Sequence, residues 1–288
     1  LLAKLNEYRQ TVKIPFDELV SDRKQSDEQL QVDHQHNLSE LEQKLSADNK
    51  DKLNQFWQSK LITGLSEEAK TRLNAAYPIL INGLLHSDLS EDAINVALPR
   101  MLTLLEAVSR RSIYLVMFAE NPTAAAKLIP MLAASPWIAS ELVSYPVLLD
   151  SFIREKYRHL PDKAELSDIL RQQLLRVEPN DEEGLLNAFR FFKKTQVLAV
   201  AASDVLADRP LMQVSDSLTF IAEVVLEKAL QRVFGELVKK HGYPVNAQGE
   251  PVSEAHNGFA IIGYGKLGGL EMSYSSDLDL VFIHDIDE

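Results

Sequence analysis

Apolar residues recur near helical spacing along most of this chain, and the pattern predicts a mostly α-helical protein. Between residues 38 and 57 the large apolar positions are Leu38, Leu41, Leu45, Leu53, Phe56 and Trp57. Residues 1–20 show a similar periodicity and predict another helix. Residues 21–37 are mostly polar, which predicts an exposed linker or a weak helix.

Capping residues followed by acidic residues indicate where several helices begin. Ser66 and Ser90 each precede two acidic residues, as expected at a helix N-terminus. Proline is tolerated in the first helical turn, so Pro122 and Pro136 predict two further starts. The segment 135–150 predicts two short helices joined by a turn. Two long helices are predicted to open at Asn180 and at Ser215, the second running to about Lys240.

The pattern changes near Gly258, where short apolar runs replace the helical periodicity. Phe259 to Gly263 is an apolar run that ends in glycine, which is typical of a buried strand, and Leu278 to Ile283 predicts a second strand. We therefore expect a helical linker region at 1–60, a helical domain at 61–208 and the opening of an α/β or α+β sheet domain at 209–288. Because the sequence begins at Leu1 and stops after its second strand, we expect it to be cut from something longer.

Composition narrows the possible functions. The chain has 288 residues, 45% of them hydrophobic, and a formal net charge of −12, which argues against a general nucleic-acid binder with its basic stripe. With no cysteine, the chain has no disulfide, zinc thiolate site or cysteine nucleophile. No signal peptide or membrane-spanning segment is evident, so we expect a cytoplasmic protein with no membrane partner.

A glycine-rich segment followed by two aspartates is the candidate chemical site. Gly263, Gly265, Gly268 and Gly269 follow the first predicted strand and allow a tight turn that presents backbone N–H groups to phosphate. Asp277 and Asp279 are placed at the start of the second strand, where alternation puts both carboxylates on one face. Close carboxylates favour a hard cation, so we expect Mg²⁺ bound by Asp277 and Asp279, with triphosphate oxygens completing its shell.

Two other interpretations of this segment are possible. Gly263, Gly265 and Gly268 spell G-x-G-x-x-G, the fingerprint of a dinucleotide-binding fold, and Asp285 lies about twenty residues downstream. Only residues 269–276 separate the glycines from Asp277, which is short for a parallel crossover helix. A non-catalytic fold is the second alternative. A separate hypothesis, which is compatible with a catalytic segment, is that residues 1–250 act as an interaction or spacer module with no chemistry of their own. A Walker A loop is excluded because no Gly-Lys-Ser or Gly-Lys-Thr is present.

The runs GKLGG at 265–269 and SSDLDLVF at 275–282 resemble the signature of glutamine synthetase adenylyltransferases. Segments 134–150 and 214–219 are similar to the helical region that precedes the catalytic domain in that family. The resemblance implies a polymerase-β-like nucleotidyltransferase fold, of which this chain would contain the first strands. Tyr264 and Leu278 are similar to the C-terminal, adenylylating half of these bifunctional enzymes; the deadenylylating half is the alternative.

The family resemblance also implies an activity and partners. The enzyme would transfer AMP from ATP to a tyrosine of glutamine synthetase, with a P-II regulatory protein as a further partner. The phosphate pocket would be formed by a set of residues in and after the glycine turn: Gly265, Lys266, Gly268, Gly269 and Ser276. Lys266 either neutralises phosphate charge or faces solvent. Polymerase-β-like enzymes use a third carboxylate on a later strand, so the 288-residue chain alone is expected to be inactive.

Overall fold

The computed structural model describes residues 36–153, 156–178, 181–245, 249–252 and 258–284. The helix predicted at 1–20, nearly all of the polar stretch 21–37, and Asp285 lie outside the described residues. Contacts between Cα atoms divide the chain into two compact units, Leu1–Ser144 (unit 1) and Tyr145–Glu288 (unit 2). This division falls inside the segment 61–208, and the domain boundaries at residues 60 and 208 stay a prediction.

Unit 1, as far as it is described, is helical. After helical residues 36–44, its helices are α1 Ala47–Gln58, α2 Lys60–Thr63, α3 Glu67–Leu85, α4 Glu91–Val108, α5 Ser112–Glu120, α6 Pro122–Ala134 and α7 Pro136–Ser144. Ser66 and Ser90 are the N-caps of α3 and α4, and each hydroxyl accepts a backbone N–H three residues on. The helix starts predicted from these serines and from Pro122 and Pro136 are confirmed.

Apolar side chains and a few buried polar contacts hold unit 1 together. Helix α3 packs against α5 and α6, while α4 packs against α1, α6 and α7. The buried side chain of Asn49 donates to the backbone oxygen of Asn95 at 2.7 Å and to its side-chain oxygen at 2.9 Å, which joins α1 to α4. Arg100 donates to the carbonyl oxygens of Leu132 and Ala133, so it satisfies acceptors that the end of α6 leaves free.

Unit 2 is built on two long helices. Helix α8 spans Leu148–Ile153, a 3₁₀ turn spans Lys156–Arg158, and α9 (Lys163–Leu174) packs against both α10 (Glu182–Ala207) and α11 (Leu211–His241). The two short helices predicted within 135–150 are present as α7 and α8, and the long helix predicted from Asn180 is present as α10. The start predicted at Ser215 is wrong. Helix α11 begins at Leu211 because Pro210 precedes it with an extended backbone, and Ser215 lies buried inside the helix.

The two predicted strands form an antiparallel hairpin. Strand β1 (Phe259–Tyr264) runs directly into a single helical turn, α12 (Gly265–Gly268), and β2 (Asp279–His284) pairs back along β1 from Tyr264↔Asp279 to Phe259↔His284. Asp277 and Leu278 precede β2, so the expectation that both aspartates lie within the strand holds only for Asp279. The dinucleotide-binding alternative needs parallel strands, and the antiparallel pairing therefore removes it.

The core of unit 2 connects the helices to the glycine segment. Side chains of α9, α10 and α11 form one apolar cluster with two residues of the segment between the strands, Leu267 and Met272. Leu280 of β2 and Tyr274 pack against the same cluster. The glycine–aspartate segment is therefore attached to the helical core at several points. No helix among the described residues is long and apolar enough to cross a membrane.

Candidate functional site

The glycines allow the chain to turn sharply at the end of β1. Gly265 has a φ of +55°, a left-handed conformation that favours glycine, and a Cβ atom there would overlap the Oδ2 atom of Asp279. A Cβ atom at Gly268 would lie 2.6 Å from the carbonyl oxygen of Gly263. The glycines at these two positions therefore let the backbone pass close to itself and to the aspartate at the start of β2.

Asp279 lies on the solvent-facing side of the hairpin. Asp279 pairs with Tyr264 across the strands, and directly opposed residues share one face. The alternate residues Ile261 and Gly263 instead line a cavity of about 420 Å³ against α11. Both Asp277 and Asp279 are exposed, and within the described residues neither side chain has a hydrogen-bond or ion-pair partner. Two accessible carboxylates close in sequence are thus available to a cation.

The donor set of a metal site is only partly supplied by the described residues. Among them, no group of three or more histidine, aspartate or glutamate side chains is placed to hold a metal ion. Mg²⁺ takes about six oxygen ligands and often keeps substrate phosphate and water among them. The pair Asp277 and Asp279 has the oxygen chemistry that Mg²⁺ prefers and could supply two of those ligands.

The other residues predicted at the phosphate site have the following contacts. Lys266 is exposed in α12 and has no ion pair within the described part of the chain. Gly269 donates its backbone N–H to the carbonyl oxygen of Gly265 at 3.0 Å. The hydroxyl of Ser276 accepts the N–H of Ser273 at 2.8 Å and contacts the Ser273 hydroxyl at the same distance. The predicted phosphate contacts of Lys266, Gly269 and Ser276 stay a prediction.

Two polar side chains from the long helices hold the segment that leads to the aspartates. The Ser215 hydroxyl of α11 lies 3.0 Å from the carbonyl oxygens of both Leu270 and Met272. The Tyr274 hydroxyl donates to the Asp204 carboxylate of α10 at 2.8 Å. Burial raises the pKa of Tyr274 strongly, and the hydrogen bond to Asp204 and its negative charge raise it further.

Reasoning from the sequence missed Ser215 and Asp204 as parts of this site. Each is separated from its partner by more than fifty residues. Ser215 lies in the segment 214–219 that resembles the family, but the resemblance gives it no role at the site. A signal was nevertheless present, because the polar Ser215 falls between apolar Val214 and Leu218 on the buried side of α11. A buried hydroxyl on an apolar helix face needs a hydrogen-bond partner, and here the partners are backbone carbonyls of the glycine–aspartate segment.

Comparison with known proteins gives the family. The family model described as GlnE, glutamate-ammonia ligase adenylyltransferase, matches residues 125–288, which include all of the glycine–aspartate segment. The chain therefore belongs to the glutamate-ammonia ligase adenylyltransferase family.

Curated relatives carry a more specific name. The chain is 45% identical over 284 residues to the bifunctional glutamine synthetase adenylyltransferase/adenylyl-removing enzyme of Acinetobacter baylyi, an alignment that covers 99% of the chain and 30% of the relative. Proteins of the same name from Hahella chejuensis and Pseudomonas putida are also 45% identical, over 80% and 76% of the chain and 23% and 22% of the relatives. The chain thus spans less than a third of the length of these relatives.

Proposed function

We propose that this chain carries part of an adenylyl-transfer site, and that the enzyme moves AMP from ATP to a tyrosine of glutamine synthetase. The observation that carries the proposal is the pair of exposed aspartates, Asp277 and Asp279, beside a glycine turn in a chain of this family. Within the part of the chain that the structure describes, neither carboxylate has a partner. The names of the relatives, which include both adenylyltransferase and adenylyl-removing activities, support the choice of substrate.

In the proposed reaction, the tyrosine oxygen forms a bond to the α-phosphorus of ATP. The bond between the α-phosphorus and the oxygen that bridges to the β-phosphate breaks. AMP is thereby attached to the tyrosine, pyrophosphate leaves, and the hydroxyl proton is released. Asp277 and Asp279 would hold Mg²⁺, which when bound supplies positive charge to the phosphates. The two carboxylates need fixed positions for this task, because electrostatic stabilisation depends on groups that are already in place.

The glycine turn is proposed to receive the phosphates. The first N–H groups of a helical turn have no acceptor within the helix, so those at Lys266 and Leu267 are suited to phosphate oxygens. The Lys266 ammonium, which is exposed and without an ion pair in the described residues, would add positive charge. Gly265, Gly268 and Gly269 would shape this turn, and Ser276 would close the loop on the other side.

The fold proposed for this region is the polymerase-β-like nucleotidyltransferase fold, of which β1 and β2 would be the first strands. The hairpin supports this assignment, because one aspartate precedes β2, a second opens it, and helices pack on the other face of the strands. We also propose a P-II regulatory protein as a further partner of the complete enzyme, as the family resemblance implies.

A second candidate is the adenylyl-removing reaction, in which phosphate displaces AMP from the modified tyrosine. The bifunctional names of the relatives favour it as an alternative, since one activity forms the adenylylated tyrosine and the other consumes it. The residues Tyr264 and Leu278 favour the adenylylating half. Assays of both directions with the same protein distinguish the two candidates.

The test uses the full-length gene product with Asp277→Asn or Asp279→Asn, each of which removes charge with little change of volume. Transfer of labelled AMP from ATP to purified glutamine synthetase should fall by about 100-fold or more in each variant, because transition-state charge loses its counter-charge. Removal of AMP from adenylylated glutamine synthetase, measured in parallel, should be largely retained if the site serves adenylylation.

Asp208→Asn is the matched control, because Asp208 is exposed, belongs to the same unit and undergoes the same charge change. Asparagine also tolerates the left-handed conformation found at Asp208, so the control should fold normally. Near-normal transfer by both Asp277→Asn and Asp279→Asn would show that these aspartates are not the catalytic pair. Loss of AMP removal with intact transfer would assign the site to the second candidate.

A further inference from the structure

We propose that Ser215, Asp204 and Tyr274 are positioning residues for the aspartate pair: they fasten the segment before β2 to helices α10 and α11. The inference rests on the proposed function of Asp277 and Asp279, and it assigns a role in that function to two residues outside the glycine–aspartate motif. These residues do not contact the reacting atoms. They act by fixing the backbone from which Asp277 extends.

Ser215 provides the first attachment. It is 7% exposed on α11, and its hydroxyl lies 3.0 Å from two carbonyl oxygens, those of Leu270 and Met272. A serine hydroxyl has a single hydrogen to donate, so the two carbonyls share it. One side chain therefore bridges both ends of a short segment. Met272 is itself buried in the apolar cluster of unit 2, which holds the segment from its other side.

The backbone at Leu270 adopts a conformation that a non-glycine residue disfavours, so the contacts of this segment must hold it there. Leu270 has a φ of +56°, a left-handed conformation that costs a branched residue about 1–2 kcal/mol. Such a conformation persists where surrounding contacts impose it. The Leu270 carbonyl accepts from Ser215, and its N–H donates to the carbonyl of Leu267 at 3.2 Å, so both of its backbone polar groups are engaged.

Tyr274 and Asp204 provide the second attachment, to the other long helix. The hydroxyl of Tyr274 donates to the carboxylate of Asp204 at 2.8 Å, and the Tyr274 ring packs against the apolar cluster. The turn that follows is closed by the hydrogen bond from the N–H of Ser276 to the carbonyl of Ser273 at 3.1 Å. The chain is thus fixed at 270, 272, 274 and 276, immediately before Asp277.

Asp279 is placed by different means. It opens β2, pairs with Tyr264 and lies against Gly265. The strand pairing alone would leave Asp277 free, because it precedes β2 and has no partner of its own among the described residues. Two carboxylates can bind one cation only if both are held in position, to within about 0.5 Å in designed sites. The attachments to α10 and α11 supply that constraint for Asp277.

The experiment measures steady-state kinetics of AMP transfer by the full-length gene product carrying Ser215→Ala, Tyr274→Phe or Asp204→Ala. Each variant should lower kcat by about 10- to 100-fold, as is typical when residues that orient a metal ligand are removed. The KM for ATP should change little, because the variants weaken stabilisation of the transition state rather than binding of ATP. The Mg²⁺ concentration for half-maximal activity should rise in the same variants, whereas the midpoint of thermal unfolding stays well above the assay temperature.

Three comparisons separate positioning from general stability. Ser217→Ala removes a hydroxyl two residues along the same helix and should leave kcat unchanged, because among the described residues this hydroxyl donates only to the carbonyl of Gln213. Asp204→Asn keeps an acceptor for the Tyr274 hydroxyl and should restore most of the activity lost in Asp204→Ala. The double variant Asp204→Ala with Tyr274→Phe should be no worse than either single variant, because both remove one hydrogen bond.

Hydrogen exchange gives a readout that does not depend on activity. The amides of residues 270–276 should exchange faster in Ser215→Ala and Tyr274→Phe, while those of α10 and α11 keep their protection. If Ser215→Ala fails to fold, the Asp204 and Tyr274 variants decide the question. The inference is overturned if kcat in these variants matches Ser217→Ala while Asp277→Asn is inactive. If Asp277→Asn and Asp279→Asn are themselves active, the proposed function fails first.

Discussion

Gly265 and Gly268 show how single residues determine the geometry of the candidate site. At Gly265 the backbone is left-handed and touches the Asp279 carboxylate, so a side chain is excluded for two reasons. At Gly268 φ is not positive, and the obstacle is the carbonyl oxygen of Gly263, which belongs to the backbone of β1 where it pairs with β2. Gly265 therefore lets the turn approach Asp279, and Gly268 lets it approach the end of β1.

Gly268→Ala is expected to lower both stability and activity. Its Cβ atom would lie 2.6 Å from the carbonyl oxygen of Gly263, so the turn must open and a cost of about 1–3 kcal/mol follows, as for other overpacked sites. Urea unfolding followed by circular dichroism measures the cost. Gly269→Ala is the matched control, because its Cβ atom would lie 3.4 Å from the nearest atom and its φ is −85°. Equal stability of the two variants would contradict the packing argument.

Single residues also show what the sequence could and could not predict. Ser66 and Ser90 are predictable as caps because each serine hydroxyl and the backbone N–H that it accepts lie within four residues of each other. Ser215 is not the helix start that its sequence predicts, although the run at 215–217 has the composition of one. Its real partners are 55 and 57 residues away. Such a contact depends on how α11 packs, and local pattern does not carry that information.

At the scale of elements, the helices of unit 1 depend on their caps and on packing that overrides local breakers. Helices α3, α4 and α6 each continue through an internal proline, Pro78, Pro99 and Pro130. A proline removes one backbone hydrogen bond and favours a kink, so these helices keep their length because their apolar faces are buried. Helical periodicity therefore predicts their extent better than the positions of proline do.

Ser90→Ala tests the cap of α4. The Ser90 hydroxyl accepts the backbone N–H of Ala93, and losing such a cap typically costs about 1 kcal/mol. Thermal unfolding should therefore show a lower midpoint for Ser90→Ala, while Ser90→Asp, which keeps an acceptor and adds favourable charge at the N-terminus, should match the parent. A midpoint unchanged in Ser90→Ala would mean that packing alone fixes the start of α4.

The hairpin is the element that the sequence predicts least completely. The apolar runs predict both strands, and β1 and β2 are present close to the predicted bounds. The runs themselves do not specify the direction of pairing, and Asp277 lies before β2 rather than within it. The alternation of side chains between two faces applies only within a strand, so it predicts the face on which Asp279 lies. The position of Asp277 depends instead on the turn held by Ser215 and Tyr274.

At the scale of the whole molecule, burial opposes the ionisation of two tyrosines among the described residues, one in each unit. In unit 1, Tyr77 is 2% exposed and packs against Phe56 and Trp57, and burial raises the pKa of Tyr77 to about 12. In unit 2, burial and the Asp204 carboxylate raise the pKa of Tyr274. Well below pH 10, the ordinary pKa of tyrosine, both side chains are neutral in the folded protein and in the unfolded chain. Above it the unfolded chain ionises first, so alkaline pH favours unfolding.

The last prediction follows from the difference in tyrosine pKa between the folded protein and the unfolded chain. It treats the two units separately. Between pH 9 and pH 11, the parent should lose about 1 kcal/mol of unfolding free energy relative to Tyr77→Phe, because only the unfolded Tyr77 ionises in that range. The measurement uses the 288-residue chain, in which both tryptophans, Trp57 and Trp137, lie in unit 1, so its fluorescence midpoint in urea follows that unit. Tyr274→Phe should leave this fluorescence-detected difference unchanged, whereas the helical signal, which also includes unit 2, should show a reduced alkaline loss.

The interval from pH 7 to pH 9 is the internal control for this measurement. Neither tyrosine ionises in either state there, so the difference in unfolding free energy between the parent and each variant should stay constant. A difference that changes equally in both pH intervals would point to other titrating groups. A constant difference up to pH 11 would show that Tyr77 ionises as readily in the folded protein as in the unfolded chain, and that its ring is hydrated despite its burial.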